Sequence, residues 1–112
     1  MLKKINRISK KKDFEEVRTK GRLYYSPLWG CLVLKTEEKG KQFGLVVSKK
    51  ISKKAVVRNK VKRLLSEAIR RNLENLGNKG YKGVFLVKQA IVGKSSEEIE
   101  GEIKKLWQKI LF

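Results

Sequence analysis

The feature that most constrains the fold is a stripe of apolar residues in the middle of the chain. Over residues 54–73 the apolar side chains recur at the i, i+4, i+7, i+8 and i+11 spacing of one helix face: Val57, Val61, Leu64, Leu65 and Ala68. A helix with a single apolar stripe has to bury it against another element. The pattern therefore predicts a long helix that packs on a sheet or on other helices.

Three apolar runs supply the strands of the predicted sheet. LWGCLVLK at residues 28–35 and FGLVVS at residues 43–48 flank the polar segment TEEKGKQ, and we predict that they pair as a hairpin. YKGVFLVK at residues 81–88 follows the turn sequence NLGNKG and predicts a third long strand. A short extra strand is predicted at residues 23–25.

A first helix is predicted over residues 9–20, in the segment SKKKDFEEVRTK. Ser9 is a candidate N-cap, Phe14 and Val17 share one face, and Gly21 is a typical stop.

The last helix begins at a capping box, in which Ser95 is followed three residues later by Glu98. Its apolar residues keep helical spacing and should reach the core: Ile99, Ile103, Leu106, Trp107 and Ile110. The predicted order is helix, strand, strand, helix, strand, helix. This order indicates an α+β class and a single-domain two-layer sandwich spanning residues 1–112, with one core.

The charge balance indicates the kind of partner. Lys and Arg number 29 against 11 Asp and Glu, a net charge of +18, and such self-repulsion favours binding to a polyanion. Nucleic acid is the first candidate and a membrane surface the second. No run approaches the roughly 18 apolar residues of a spanning helix, and the N-terminus lacks the apolar core of a signal peptide, so a cytoplasmic protein is expected. The lone Cys31 lies in an apolar run, as a buried thiol would.

Half of the net charge lies in residues 49–71, which hold one acid, Glu67, and ten cations: Lys49, Lys50, Lys53, Lys54, Arg58, Lys60, Lys62, Arg63, Arg70 and Arg71. A merely solvated helix face, the alternative, usually mixes charges so that i and i+4 neighbours attract. Arg58 can grip phosphate with two N–H groups, and Asn59 beside it can bond to base or sugar. The loop before the helix could cradle phosphate with its lysines and backbone amides, although it lacks the glycines of a P-loop.

A second basic group lies in the N-terminal region, where nine cations outnumber three acids. The cations are Lys3, Lys4, Arg7, Lys10, Lys11, Lys12, Arg18, Lys20 and Arg22. Nearby aromatic side chains could form a stacking platform for unpaired bases: Phe14, Tyr24, Tyr25 and Trp29. Core packing is the competing interpretation for Phe14 and Trp29.

Protein-based catalysis finds no support in the residue types. The chain has no histidine and a single cysteine, and its carboxylates show metal-ligand spacing nowhere outside the last helix. A self-contained nuclease needs a base, a nucleophile or a metal cage. Any catalysis is therefore expected to come from a partner.

At residues 48–70 the string SKKISKKAVVRNKVKRLLSEAIR closely resembles the signature of the bacterial ribonuclease P protein subunit, an Arg-Asn-Arg motif followed by a basic pair. RISKKKDFEEVRTKG resembles the opening helix of that family, the strand order agrees, and the C-terminal helix matches in pattern. Lys60 stands where many relatives have arginine, which keeps the charge and loses the bidentate fork.

The resemblance implies a ribonucleoprotein endonuclease that removes the 5′ leader from precursor tRNA. It implies that the RNA subunit holds the catalytic Mg2+ and performs the hydrolysis, with one protein per RNA and no role for DNA or a membrane. It further implies a left-handed βαβ crossover, in a ribosomal protein S5 domain 2-like fold, against the usual right-handed rule.

The resemblance also implies two sets of site residues. Contacts to the RNA subunit would come from Lys49, Lys50, Lys53, Arg58, Asn59, Lys60, Lys62 and Arg63. Leader contacts, in a cleft between the sheet and a flanking helix, would come from Phe14, Arg18, Trp29 and Leu32. Arg18 and Leu32 stand where the family often has aromatic residues.

Three other classes of protein remain as alternatives. A ribosomal or other structural RNA-binding protein fits the composition equally well but not the motif string. A DNA-binding helix-turn-helix regulator is disfavoured because only one helix is strongly basic. A membrane-surface protein ranks last.

Overall fold

In a computed structural model, which describes residues 2–112, one four-stranded sheet carries helices on both faces. The strands are β1 (Arg22–Tyr25), β2 (Trp29–Thr36), β3 (Lys41–Val46) and β4 (Gly80–Val87). The helices are α1 (Lys11–Lys20), α2 (Ala55–Asn72) and α3 (Ser96–Leu111), and single 3₁₀ turns occupy Lys4–Asn6, Leu73–Leu76 and Gln89–Ile91. The predicted element order and α+β class are confirmed, including the short strand β1.

The predicted hairpin between β2 and β3 is wrong. The strand order is β1-β2-β4-β3, with β2 antiparallel to both of its neighbours and β3 parallel to β4. β4 lies between the two strands, and its Val84 and Phe85 are buried on opposite faces, as is typical of a central strand covered on both sides. β3 and β4 are joined through α2, which makes a βαβ unit; its left-handed sense stays a prediction.

The turn from β2 to β3 crosses the beginning of β4 at a glycine. A β-carbon at Gly80 would collide with the backbone oxygen of Glu38, and the Tyr81 amide donates a 2.9 Å hydrogen bond to the Gly40 carbonyl. Gly40 adopts a φ of 130°, which side-chain-bearing residues rarely tolerate. The two glycines thus let a short turn pass over the central strand.

The main core lies between the sheet and the pair α2 and α3. Four aromatic rings meet there: Phe85 lies 5.4 Å from Trp29 and 5.9 Å from Phe43, and Phe43 lies 5.6 Å from Trp107. Trp107 and Cys31 are buried, as predicted. The apolar stripe of α2 and the capping box of α3 are also confirmed, the latter by a 3.2 Å bond from the Glu98 amide to the Ser95 hydroxyl.

α1 covers part of the opposite face of the sheet. Val17 is buried there with Ile8 and Val84, and Phe14 packs against the same cluster. The predicted N-cap, Ser9, is wrong: the helix begins at Lys11 and has no side-chain cap. The chain is still extended at that point because the Ile8 amide donates to the Phe43 carbonyl of β3. Gly21 ends the helix as predicted.

Among residues 2–112, no helix combines the length and the apolar character needed to cross a membrane.

Candidate RNA interface

The loop between β3 and α2 is fixed to the body of the protein. Ile51 is buried in the main core, and its amide donates to the Ser48 carbonyl at 3.1 Å. The Lys50 amide donates to the Ser48 hydroxyl, and the Lys54 amide to the Ser52 hydroxyl. These two amides are satisfied within the loop and are not available to a phosphate; binding of phosphate by the rest of the loop stays a prediction. The side chains of the loop lysines are exposed: Lys49, Lys50, Lys53 and Lys54.

Arg58 connects this loop to the first turn of α2. Its Nη1 donates a 2.8 Å hydrogen bond to the Ser52 carbonyl. A guanidinium has five N–H donors, so one bond within the protein leaves others for an external phosphate. Arg58 therefore ties the loop to α2 while it is only half-buried itself.

The structure brings the residues predicted to bind the RNA subunit onto the loop and the first half of α2. Asn59, Lys60 and Arg63 are exposed and Lys62 is half-buried, whereas Val61 on the apolar stripe is buried. We call this set the basic surface; it consists of Lys49, Lys50, Lys53, Arg58, Asn59, Lys60, Lys62 and Arg63.

The two halves of α2 differ in how their charge is neutralised. In the second half, Arg70 and Arg71 both pair with Glu67, and the hydrogen bond from Arg70 lowers the pKa of that carboxyl to about 2. Within the part of the chain that the structure describes, no carboxylate pairs with a cation of the basic surface.

The position of this unpaired charge favours an anion. The first turn of α2 contains no acidic residue, and the N-terminal end of a helix carries partial positive charge from its free amides. Cations there repel the helix dipole and one another, which a bound phosphate chain would relieve.

A groove of about 210 Å³ runs between α1 and α2 at the β3 edge of the sheet. Phe14 and Gly44 line it from one side and Lys62 from the other. The groove therefore connects the basic surface to the predicted leader site. Leu32 is half-buried beside Phe14, and Arg18 is exposed on α1.

Trp29 is a correction to the predicted leader site. Its side chain is fully buried against Phe85, on the face of the sheet that α2 and α3 cover. Side chains alternate along a strand, so Trp29 and Leu32 of β2 point to opposite faces and cannot share a cleft. Core packing, the competing interpretation, is the right one for Trp29.

The other aromatic residues of the predicted platform also divide between the faces. Tyr24 packs on the main core, whereas Tyr25 is exposed on the face that carries α1. Sequence reasoning missed Lys88, whose Nζ lies 5.9 Å from the centre of the Tyr25 ring. Continuing the alternation of β4 by one residue beyond its end would have placed Lys88 on this face.

The basic helix on this sheet has counterparts in known proteins. The profile of the family described as Ribonuclease P matches residues 2–111. The chain belongs to the ribonuclease P protein family. Among its relatives, the ribonuclease P protein component of Clostridium botulinum strain 657 is 38% identical over 106 residues, which cover 95% of each chain. That of Clostridium acetobutylicum is 39% identical over 108 residues, 95% of this chain and 89% of the relative.

Solved structures of ribonuclease P proteins share the fold. The Staphylococcus aureus protein superposes with a TM-score of 0.78 at 23% identity, over 96% of each chain. The Thermotoga maritima protein gives a TM-score of 0.79 at 23% identity, over 92% of this chain and 96% of its own. These structures show the shared fold. The family profile and the relatives at 38–39% identity confirm the resemblance seen in the motif string, and with it the role of this chain as a protein component of ribonuclease P in tRNA 5′ maturation.

The candidate interface is made of cationic and aromatic side chains. Its side chains offer cations for phosphate and aromatic rings for bases. Among residues 2–112, no three His, Cys, Asp or Glu side chains lie close enough together to hold a metal ion.

Proposed function

We propose that the basic surface binds ribonuclease P RNA, while the groove and the sheet face beside α1 hold the 5′ leader of precursor tRNA. In this arrangement the protein assists endonucleolytic removal of the leader. The observation that carries the proposal is the unpaired charge of the basic surface, at the N-terminal half of a helix whose other half is neutralised internally.

RNA-subunit binding follows from the cost of leaving that charge unpaired. Like charges four residues apart, such as Arg58 and Lys62, repel on the helix surface. A phosphate chain relieves the repulsion and releases its own counterions, which adds a favourable entropy to binding. The hydrogen bond from Arg58 to the Ser52 carbonyl holds the loop lysines in place for contact with the phosphate chain.

Leader binding rests on the half-buried aromatic ring of Phe14 and the groove beneath it. Leu32 is half-buried and packs against the same apolar cluster as Phe14, and Arg18 on the exposed side of α1 can reach a phosphate. Trp29 is not part of this set. Because Lys62 lines the same groove as Phe14, a leader held there passes next to the RNA subunit.

We assign the hydrolysis and the Mg2+ ions to the RNA subunit, with one protein per RNA. The described residues form no cage for magnesium, and the chain contains no histidine to serve as a general base. The contribution of the protein is electrostatic and positional: its net charge of +18 lies between two polyanions that otherwise repel each other.

Reconstitution tests the proposal. The full chain is mixed with a bacterial ribonuclease P RNA and a precursor tRNA with a labelled leader, at a magnesium concentration at which the RNA alone cleaves slowly. The protein should raise the rate at which the mature 5′ end appears, and polylysine at equal charge should not reproduce the effect. A rate equal to that of RNA alone would leave the structural RNA-binding protein as the better interpretation.

A further inference from the structure

One row of side chains on the α1 face of the sheet is left uncovered. The strand register places Val46, Leu86, Gly30 and Tyr25 side by side across β3, β4, β2 and β1. α1 covers the adjacent row, where Val84 is buried, but Val46 and Leu86 are each 42% exposed and Tyr25 is 68% exposed. With about 4.8 Å between strands, the row extends over about 14 Å.

Positive charge lies at both ends of this exposed row. At the β3 end, the strand ends at Val46, and the chain continues into the loop that carries Lys49 and Lys50. At the β1 end, Lys88 Nζ lies over the Tyr25 ring and donates a 3.0 Å hydrogen bond to the Ser26 carbonyl. The exposed row therefore has an apolar floor between two groups of cations.

Two lysines contact Tyr25, one at its ring and the other at its backbone. Lys88 lies 5.9 Å from its centre, and Lys109 of α3 donates a 3.2 Å hydrogen bond to the Tyr25 carbonyl. In the described part of the chain, neither lysine is ion-paired with a carboxylate. Because the backbone of Tyr25 is held and a cation lies near its ring, the exposed ring loses little entropy when a flat ligand stacks on it.

We propose that Tyr25 is a stacking site for an unpaired RNA base, and that the exposed row guides a single strand between Tyr25 and the basic surface. The inference rests on the proposed function, because the strand would be the distal part of the leader. An aromatic side chain on an open sheet surface, flanked by cations, suits single-stranded RNA through base stacking and phosphate contacts. A net charge of +18 favours this polyanion over a peptide strand.

Direct binding of a labelled 12-nucleotide oligouridylate to the full chain tests the stacking site. Tyr25→Ala should weaken binding by roughly 5- to 160-fold, the range expected for one stacked base. Tyr25→Phe keeps the ring and should bind like the wild type. The salt dependence of binding should be the same for Tyr25→Ala as for the wild type, because no cation is lost.

Cleavage by the reconstituted holoenzyme then separates this inference from the proposed function. Tyr25→Ala should lower the affinity for precursor tRNA with a long leader, and should leave unchanged the affinity for a substrate with a leader of one or two nucleotides. Its affinity for the RNA subunit alone should match that of the wild type, which shows that the variant folds.

Three outcomes would overturn the inference while the wild-type protein still stimulates cleavage. These are unchanged oligouridylate binding by Tyr25→Ala, equal loss in Tyr25→Ala and Tyr25→Phe, and competition by polyglutamate as strong as that by RNA. If the wild-type protein fails to stimulate cleavage, the proposed function is wrong, and the oligouridylate experiment still decides the role of Tyr25.

Discussion

The ring of Phe14 lies against the backbone of Gly44, so close that a β-carbon on residue 44 would come within 2.6 Å of the Cε1 atom of the ring. This contact joins α1 to the edge strand β3. It also sets the shape of the groove between Phe14 and Lys62.

Gly44→Ala should therefore displace the Phe14 ring. We expect a loss of about 1–3 kcal/mol in the free energy of unfolding, as for other insertions into a packed site, together with weaker binding of precursor tRNA that has a leader. Urea denaturation and titration of the holoenzyme with substrate measure the two effects.

Gly101→Ala is the matched control, because nothing lies within 4 Å of the position of its β-carbon on α3. That variant should gain up to about 1 kcal/mol from better helix propensity. Unchanged stability and substrate affinity in Gly44→Ala would contradict the tight Phe14 contact.

Asn72 and Asn59 lie on the same helix and should separate stability from binding. Asn72 is buried and donates to the Ala68 carbonyl at 2.8 Å and to Glu100 at 3.3 Å. Asn72→Ala should cost about 1–3 kcal/mol of stability and leave RNA-subunit affinity unchanged once folded. Asn59 is exposed on the basic surface, so Asn59→Ala should weaken RNA binding without lowering the melting temperature. The reverse pattern in thermal melts and binding titrations would refute both assignments.

Salt dependence should report the phosphate contacts of the basic surface. Replacing Arg58 and Lys62 by Ala should reduce the slope of log affinity against log salt by about 0.7 per lost contact. Arg58→Ala should weaken RNA-subunit binding more than Lys60→Ala, because it also frees the loop from its bond to Ser52. Arg70→Ala is the control, since Arg70 is already paired with Glu67. An unchanged slope in the double variant would count against the basic surface as the RNA site.

The capping box of α3 should make stability depend on pH. Hydrogen bonds from the Ser95 amide and hydroxyl lower the pKa of Glu98 from its ordinary value of 4.5. Because the pKa of Glu98 is lower in the folded state than in the unfolded state, its charge stabilises the fold at a pH above the unfolded-state pKa. This stabilisation is lost as the pH falls through the folded-state pKa. Glu98→Gln should thus melt below the wild type at pH 7, and the difference should shrink in acid. A difference that does not change between pH 7 and acid would contradict the charged cap.

Local patterns predicted the helices well. The stripe of α2 and the capping box of α3 are formed by residues a few positions apart, so the sequence carries them directly. The first residue of α1 was predicted wrongly because the hydrogen bond from the Ile8 amide to β3 is a tertiary contact.

Strand pairing depends on residues far apart and could not be predicted in the same way. β4 lies between β2 and β3 although it is more than thirty residues away from either in the chain. The run that contains Trp29 is apolar at almost every position, so no alternation shows which face a side chain takes. Only the register with β4 places Trp29 in the core.

The candidate site also contains features that local sequence patterns predict and features that depend on contacts between distant residues. The basic surface was predictable because its charge is concentrated in one segment. The bond from Arg58 to Ser52 and the position of Lys88 beside Tyr25 arise from loop conformation and from strand pairing. The alternation of β4 gives the face on which Lys88 lies, but no spacing in the sequence shows that it lies beside Tyr25 or that Arg58 bonds to Ser52.

Cleavage of RNA by hydroxyl radicals from a tethered iron chelate tests the division into two surfaces most directly. Burial raises the pKa of the Cys31 thiol, so this residue should stay unlabelled in the folded protein, and Lys60→Cys and Arg18→Cys each supply one attachment site. In the reconstituted complex, a probe at residue 60 should cut the RNA subunit and a probe at residue 18 should cut the leader. Cuts in the leader from residue 60, with none in the RNA subunit, would contradict the assignment of the basic surface.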